Sequence, residues 1–343
     1  MSYPFKNLIF EGGGVKGIAY VGALKVLTQK KILKNIKRVG GASAGAINAV
    51  LLALNYELEE TEDILWKLKF KNFMDDSWGI IRDSKRLINK FGWYKGDFFR
   101  DWIGELVKEK TGNSYSTFND FHLLGMRDLY LVGTNLSTGF SEVFSYEHTP
   151  RMRVVDAARI SMSIPLFFAA VRNMGDVYVD GGMLLNYPVK LFDRKKYIAD
   201  EDQEKHAREV GYYDDANKGK PKSSSPYVYN KETLGFRLDT AQEIAVFRDG
   251  AEPQHNQIDD FFDYAWAMID TMINAESNQH LHQDDWHRTV YINTLDVKTT
   301  DFGLKKKKKE DLVKEGRKGA KDYLDWFGNT DSDMAINHPD YQG

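Results

Sequence analysis

Residues 10–24 read FEGGGVKGIAYVGAL, with three consecutive glycines, Gly12, Gly13 and Gly14, between two apolar stretches. Ordered glycine is entropically costly, so three in a row imply a backbone task that no larger residue can perform. The preceding run, Asn7-Leu8-Ile9-Phe10, has the length and character of a buried strand, and Val15 to about Gln29 that of a buried helix. Strand, glycine loop and helix start together offer bare N–H groups to an anion or a developing negative charge.

Outward from this loop the alternation repeats. Ile36–Gly41 reads as a second strand that turns into an apolar helix from about Ala44. Further strands are expected near Asp128–Thr134, in FSEVFSY, in GDVYVDGG, in TLGFRL and over Arg288–Thr294. A helix stops before Pro165, and a long one is expected from about Ile258 to His280. Between residues 60 and 110 aromatic residues are dense, from Trp66 through Trp78 to Trp102, with Asp97 as N-cap of one helix. They read as a packed helical layer, or as a greasy wall beside an acyl-chain cleft. Strands alternating with helices imply one α/β domain with a mostly parallel central sheet covered on both faces, over residues 5–330. Residues 193–231 are charged and poor in aliphatics, which predicts an exposed, mobile insertion. A basic helix over 305–328, with Leu312, Gly316, Ala320, Tyr323 and Phe327 on one stripe, docks on the core, and 331–343 form a tail.

The 343 residues carry a formal net charge of −3, which gives no footing for nucleic acid as a partner, and no cysteine for a disulfide or thiolate metal site. No metal site is expected. The N-terminus lacks a basic and apolar leader pattern, and no apolar run reaches the roughly 20 residues of a membrane span. A cytoplasmic protein, peripheral to membranes when active, is the expectation; export without a signal peptide stays compatible with it.

Gly41-Ala42-Ser43-Ala44-Gly45 fits G-x-S-x-G at a strand-to-helix turn, the setting in which a serine is exposed for nucleophilic attack. If the strands ending at Phe10 and Gly41 are neighbours, the glycine loop lies beside Ser43 and its amides face the tetrahedral oxygen. Asp180 ends a strand and runs into Gly181-Gly182, and burial would raise its pKa enough to make it a base. The eight histidines, in contrast, lack an obvious catalytic loop.

GGGVKG, GASAG and DGG in this order, with SMSIPLFF (Ser161–Phe168), DGGMLLNYP (Asp180–Pro188) and TTDFGL, resemble the patatin-like phospholipases. The resemblance implies a patatin-type lipid acyl hydrolase with Ser43 as nucleophile and Asp180 as its single partner. It further implies an oxyanion hole at Gly12, Gly13 and Gly14, with Lys16 and Gly17 supporting the loop and Gly41, Gly45, Gly181 and Gly182 the turns. The family needs no metal or organic cofactor, and its partner is a phospholipid surface or lipid substrate; a protein or small-molecule activator stays open.

Three other readings compete. Gly12, Gly14 and Gly17 also fit a dinucleotide loop, but no acidic residue closes the second strand. A Ser-His-Asp hydrolase would pair Ser43 and Asp180 with His280, His282 or His287, and His280, Asp284 and His287 share a helical face that invites a metal. A non-catalytic lipid-binding protein would have no use for a serine beside a base. The run Lys305–Lys309 reads as a solvated helix start or a headgroup contact.

Overall fold

The computed structural model describes residues 3–73, 90–221, 223–249, 251–252, 255, 257–259, 263–264, 267–273, 283–299, 301–329 and 334–338. The strands are β1 (Asn7–Phe10), β2 (Arg38–Gly41), β3 (Gly92–Tyr94), β4 (Asp128–Asn135), β5 (Phe140–Ser145) and β6 (Leu166–Phe168). They continue with β7 (Val171–Asn173), β8 (Asp176–Asp180), β9 (Ala207–Arg208), β10 (Tyr229–Asn230), β11 (Thr233–Asp239) and β12 (Thr289–Asn293). The main sheet runs β12-β11-β1-β2-β4-β8-β7, with β5 also on β4. From β12 through β4 every pairing is parallel; β5, β7 and β8 are antiparallel additions.

All four residues of β1 are buried, as its unbroken apolar run implies. Leu8 and Phe10 join the larger core, whereas Ile9 joins a second one with Tyr130, Tyr187, Val189, Phe192 and Tyr197, so successive side chains serve opposite faces of the sheet. Fully burying a side chain such as Phe10 stabilises by about 1.5–3 kcal/mol. Flanking helices include α1 (Ala19–Gln29), α2 (Ala44–Ala53) and α3 (Leu58–Lys67). The C-terminal helix Lys306–Asn329 crosses α1 at two glycines: a Cβ on Gly22 would strike the Val313 carbonyl, and one on Gly316 the Ala19 carbonyl. Close approach of the two backbones explains the small residues of the stripe.

The register around β4 sets up the site. Tyr130 pairs with both Gly40 and Ser145, and Gly133 with both Glu142 and Asp180, so β2 and β8 share one edge of β4 while β5 holds the other. Gly41 sits opposite Leu131 and Asp180 opposite Gly133. The two strand ends therefore meet in one lane, about 7 Å apart in register at ~3.3 Å per residue.

Several expectations are corrected. Gly96, at φ 73°, holds the N-cap position assigned to Asp97, because a Cβ there would lie 2.5 Å from the Arg159 guanidinium carbon. The segment 193–231 is anchored at its ends: Asp193, Tyr197, Val228 and Asn230 are buried, and β9 pairs with β10 inside it. Within the expected tail Ala335 is buried and Asn337 donates to the Thr289 carbonyl (3.2 Å). Lys309 is no surface charge: its ammonium donates to the carbonyls of Trp66 and Leu68, both at 3.2 Å, finishing the C-terminus of α3. Of the long helix expected over 258–280, residues 263–264 and 267–273 are helical and 258–259 are not; the rest lies outside the described residues, as do Trp78, His280 and His282.

Candidate active site

β1 and β2 are parallel neighbours, Phe10 opposite Gly41, so the glycine loop and the serine turn leave the same edge side by side. A Cβ on Gly12 would come within 2.9 Å of Ser43 Cβ. Ser43 has φ 52° and ψ −128°, a conformation costly for any residue with a side chain and of order 1–3 kcal/mol to hold. Its amide donates to the Ser161 carbonyl (3.1 Å) and lies 3.2 Å from Ser161 Oγ, while the Asp180 amide donates to the Ser163 carbonyl (2.9 Å). The SMS segment thus grips the backbones of both residues.

The supporting glycines each make room for a neighbour. A Cβ on Gly45 would strike the Phe10 carbonyl, one on Gly41 would lie 2.6 Å from the Gly45 carbonyl carbon, and one on Gly181 would meet the Val132 carbonyl. Gly17 lies against Ala44, and Gly182 against Asn186 and Asp180.

Asp180 is sealed from solvent, and burial lifts its carboxyl from 3.8 to about 7. The Gly182 amide, donating to Oδ1 at 2.7 Å, and the neighbouring Ser43 hydroxyl oppose that rise. Oδ2 is buried without a hydrogen bond. A carboxyl with a pKa close to neutral and one unfilled oxygen is suited to take a proton.

Of the loop amides, that of Gly12 donates to the Asn186 carbonyl (3.2 Å) and that of Val15 to the Thr299 carbonyl (3.2 Å). The amides of Gly13 and Gly14 have no acceptor among the described residues. Gly14 has φ 55° and rests on Thr299, which leaves no room for a side chain.

These residues line an open cleft enclosing about 700 Å³, part of it continuous with solvent. Among the described residues its apolar wall is Ile164, Pro165, Met183, Leu238, Ile269 and Ile273, with none of the described aromatic residues of 60–110. Phe73, Phe99 and Trp102 instead pack on one another with ring centroids 5.4–6.0 Å apart, the packed layer of the first reading. The other wall is charged, with Lys16, Glu11, Arg237 and Asp239. Arg237 pairs with Asp239 at 3.0 Å and Glu11 at 3.8 Å. Burial lifts Glu11 to about 8 and raises Asp239, while Arg237 and Lys16 pull both down. Sequence reading missed Glu11, Asn186, Arg237 and Asp239. Glu11 and Asn186 were visible as the flanks of EGGG and DGGMLLN, whereas Arg237 and Asp239 carry no local signal.

No described histidine lines the cleft. His287 precedes β12, at the opposite end of the parallel strands, with Tyr323 donating to its carbonyl (2.6 Å). Asp202, His206 and Glu232 form the group among the described residues with metal-ligand spacing, also at that far end; His206 Nδ1 and Glu232 Oε1 lie 2.8 Å apart, within hydrogen-bond distance of each other.

Residues 8–193 match the family model of the patatin-like phospholipases, and the chain belongs to that family. It is 30% identical over 321 residues to the uncharacterized protein R571 of Acanthamoeba polyphaga mimivirus, covering 93% of each chain. It is 24% identical over 187 residues to the probable lipid hydrolase 463L of Invertebrate iridescent virus 6, covering 54% of this chain and 63% of the relative. The crystal structure of VipD from Legionella pneumophila has the same fold, with TM-score 0.58 and 18% identity over 94% of this chain and 67% of that one.

Proposed function

We propose that the protein is a lipid acyl hydrolase that cleaves carboxylic esters of glycerophospholipids or lysophospholipids through Ser43 and Asp180. The observation that carries this reading is a sealed carboxyl, shifted to about 7, beside a serine on a strained strand-to-helix turn. Ser43 Oγ attacks the acyl carbonyl carbon as its proton passes to Asp180. The oxyanion accepts hydrogen bonds from the Gly13 and Gly14 amides. Collapse breaks the ester C–O bond, and the leaving alcohol takes the proton from Asp180. Water, deprotonated by the same carboxylate, then releases the fatty acid and restores Ser43. Substrate enters at a membrane surface; among the described residues no helix is long and apolar enough to cross one. The catalytic unit spans 5–330, since β11 and β12 complete the sheet and Leu238 and Asp239 line the cleft.

The test is fatty-acid release from phospholipid and lysophospholipid vesicles by wild type, Ser43→Ala, Asp180→Asn and a His280/His282/His287→Ala triple variant. Loss in the first two variants with activity kept in the third is the expected result. Loss in a folded histidine variant would move the protein to the triad hydrolases.

A further inference from the structure

Asn186 lies six residues beyond Asp180, closing the short helix Gly182–Leu185, and is buried. Its carbonyl accepts the Gly12 N–H (3.2 Å), and its Nδ2 donates back to the Gly12 carbonyl (3.3 Å) and reaches Glu11 Oε1 (3.5 Å). Its Oδ1 fills the space where a Cβ on Gly12 or Gly182 would stand. One side chain and its own carbonyl therefore hold both polar groups of Gly12, and with them join the loop carrying the base to the loop carrying the amides.

We infer that Asn186 is a positioning residue for the oxyanion donor of Gly13. The Gly12 C=O and the Gly13 N–H belong to one planar trans peptide and point in opposite directions. Fixing the carbonyl end by the Asn186 amide fixes where the N–H end points. A hydrogen bond to the carbonyl also polarises the same peptide and strengthens its N–H as a donor. Glu11 completes the arrangement from behind: Oε2 accepts the Leu238 amide (2.6 Å), and Oε1 faces Asn186 Nδ2. The loop is thereby tied to β11 as well as to the DGG turn. This inference rests on the Ser43–Asp180 reading and adds the device that aims the hole.

The experiment uses the full chain with Asn186→Asp, which keeps shape and loses the donor, and Asn186→Ala as the second variant should the first fail to fold. Steady-state kinetics on a soluble ester and inhibition by a trifluoromethyl ketone, whose hydrated or serine-bound form mimics the tetrahedral oxyanion, are measured beside Ser43→Ala. Expected is a fall in kcat of about 10²-fold with KM within about twofold, and a matching loss of ketone affinity. A purely structural role would lower the melting temperature without this kcat-against-KM split. An unchanged kcat in a folded variant, with Ser43→Ala inactive, overturns the inference about Asn186 alone. Wild-type activity in Ser43→Ala would overturn the dyad reading instead.

Discussion

Asp180 and Asp193 are both sealed in the protein, at opposite ends of one sheet, and burial raises the pKa of both. Asp193 is met by an equally buried Arg288, at 2.5 Å to Oδ1 and 2.7 Å to Oδ2, with Tyr213 donating to Oδ2 (2.5 Å) and Asp285 sharing the guanidinium (2.6 Å). Asp180 has a backbone amide, a nearby hydroxyl and one unfilled oxygen. The first arrangement satisfies a carboxylate so that it holds the 193–231 segment and the start of β12 together. The second leaves a carboxyl underpaired, so that its proton is exchangeable near neutral pH. Burial is common to both; under the proposed function, the partners decide whether the aspartate serves architecture or chemistry.

The sharpest way to break this contrast is to remove the proposed nucleophile, Ser43. Ser43→Ala is expected to lower vesicle fatty-acid release by at least about 10³-fold with folding intact, read by titrating released acid and by circular dichroism. Equal activity would leave Asp180 without a chemical role.

Exchanging the aspartates comes next. Asp180→Asn is expected to cost about 10²–10⁴ in kcat and no stability, because an amide removes a buried charge at constant shape. Asp193→Ala is expected to lose about 3–5 kcal/mol in urea denaturation, because Arg288 loses its bidentate partner. Reversed outcomes would reverse the assignment of the two ends.

pH separates them further. Because Asp180 keeps its proton in the folded state up to about 7 and loses it near 3.8 when unfolded, its contribution falls as pH rises between those values. The wild type should lose on the order of 4 kcal/mol over that window from this group alone. Activity runs the opposite way, with kcat/KM rising through an apparent pKa near 7 as the base forms. A kcat/KM profile flat from pH 5 to 8 would remove Asp180 as the base; denaturation of Asp180→Asn at pH 5 and 8 checks the stability slope.

The smallest effect concerns strain. Ser43 and Met174 have nearly the same φ, 52° and 51°, and Met174 is 98% exposed at a turn tip. Met174→Asn should raise stability by about 0.5–1 kcal/mol with activity unchanged, while Ser43→Gly should gain about 1 kcal/mol and lose activity. A gain in thermal melting for both, with activity lost only at 43, would tie the strain at the serine to its task.

Much of the proposed catalytic end was legible in order along the chain. The apolar run before Gly12, the small residues around Ser43 and the acid before Gly181 each carry their local structure, because strand, elbow and turn are set by neighbouring residues. Asp97 misled because the cap position was settled by Arg159, distant in the chain and packed against Gly96. Lys309 misled for the same kind of reason: a charge run predicts solvation, yet the carbonyls it reaches belong to the last turn and C-cap of α3, more than 240 residues earlier.

Sequence alone therefore determined β1, β2, β4, β5, β8, β11 and β12, the order of the three motifs and the family resemblance, all carried by short stretches with their own backbone and side-chain preferences. Tertiary structure decided that β8 enters the lane of β2 beside β4, that Asn186 holds Gly12, and that Arg237 and Asp239 stand at the cleft. Those facts depend on pairings between segments far apart in the chain, where the free energy comes from mutual burial and hydrogen bonding rather than from any local periodicity.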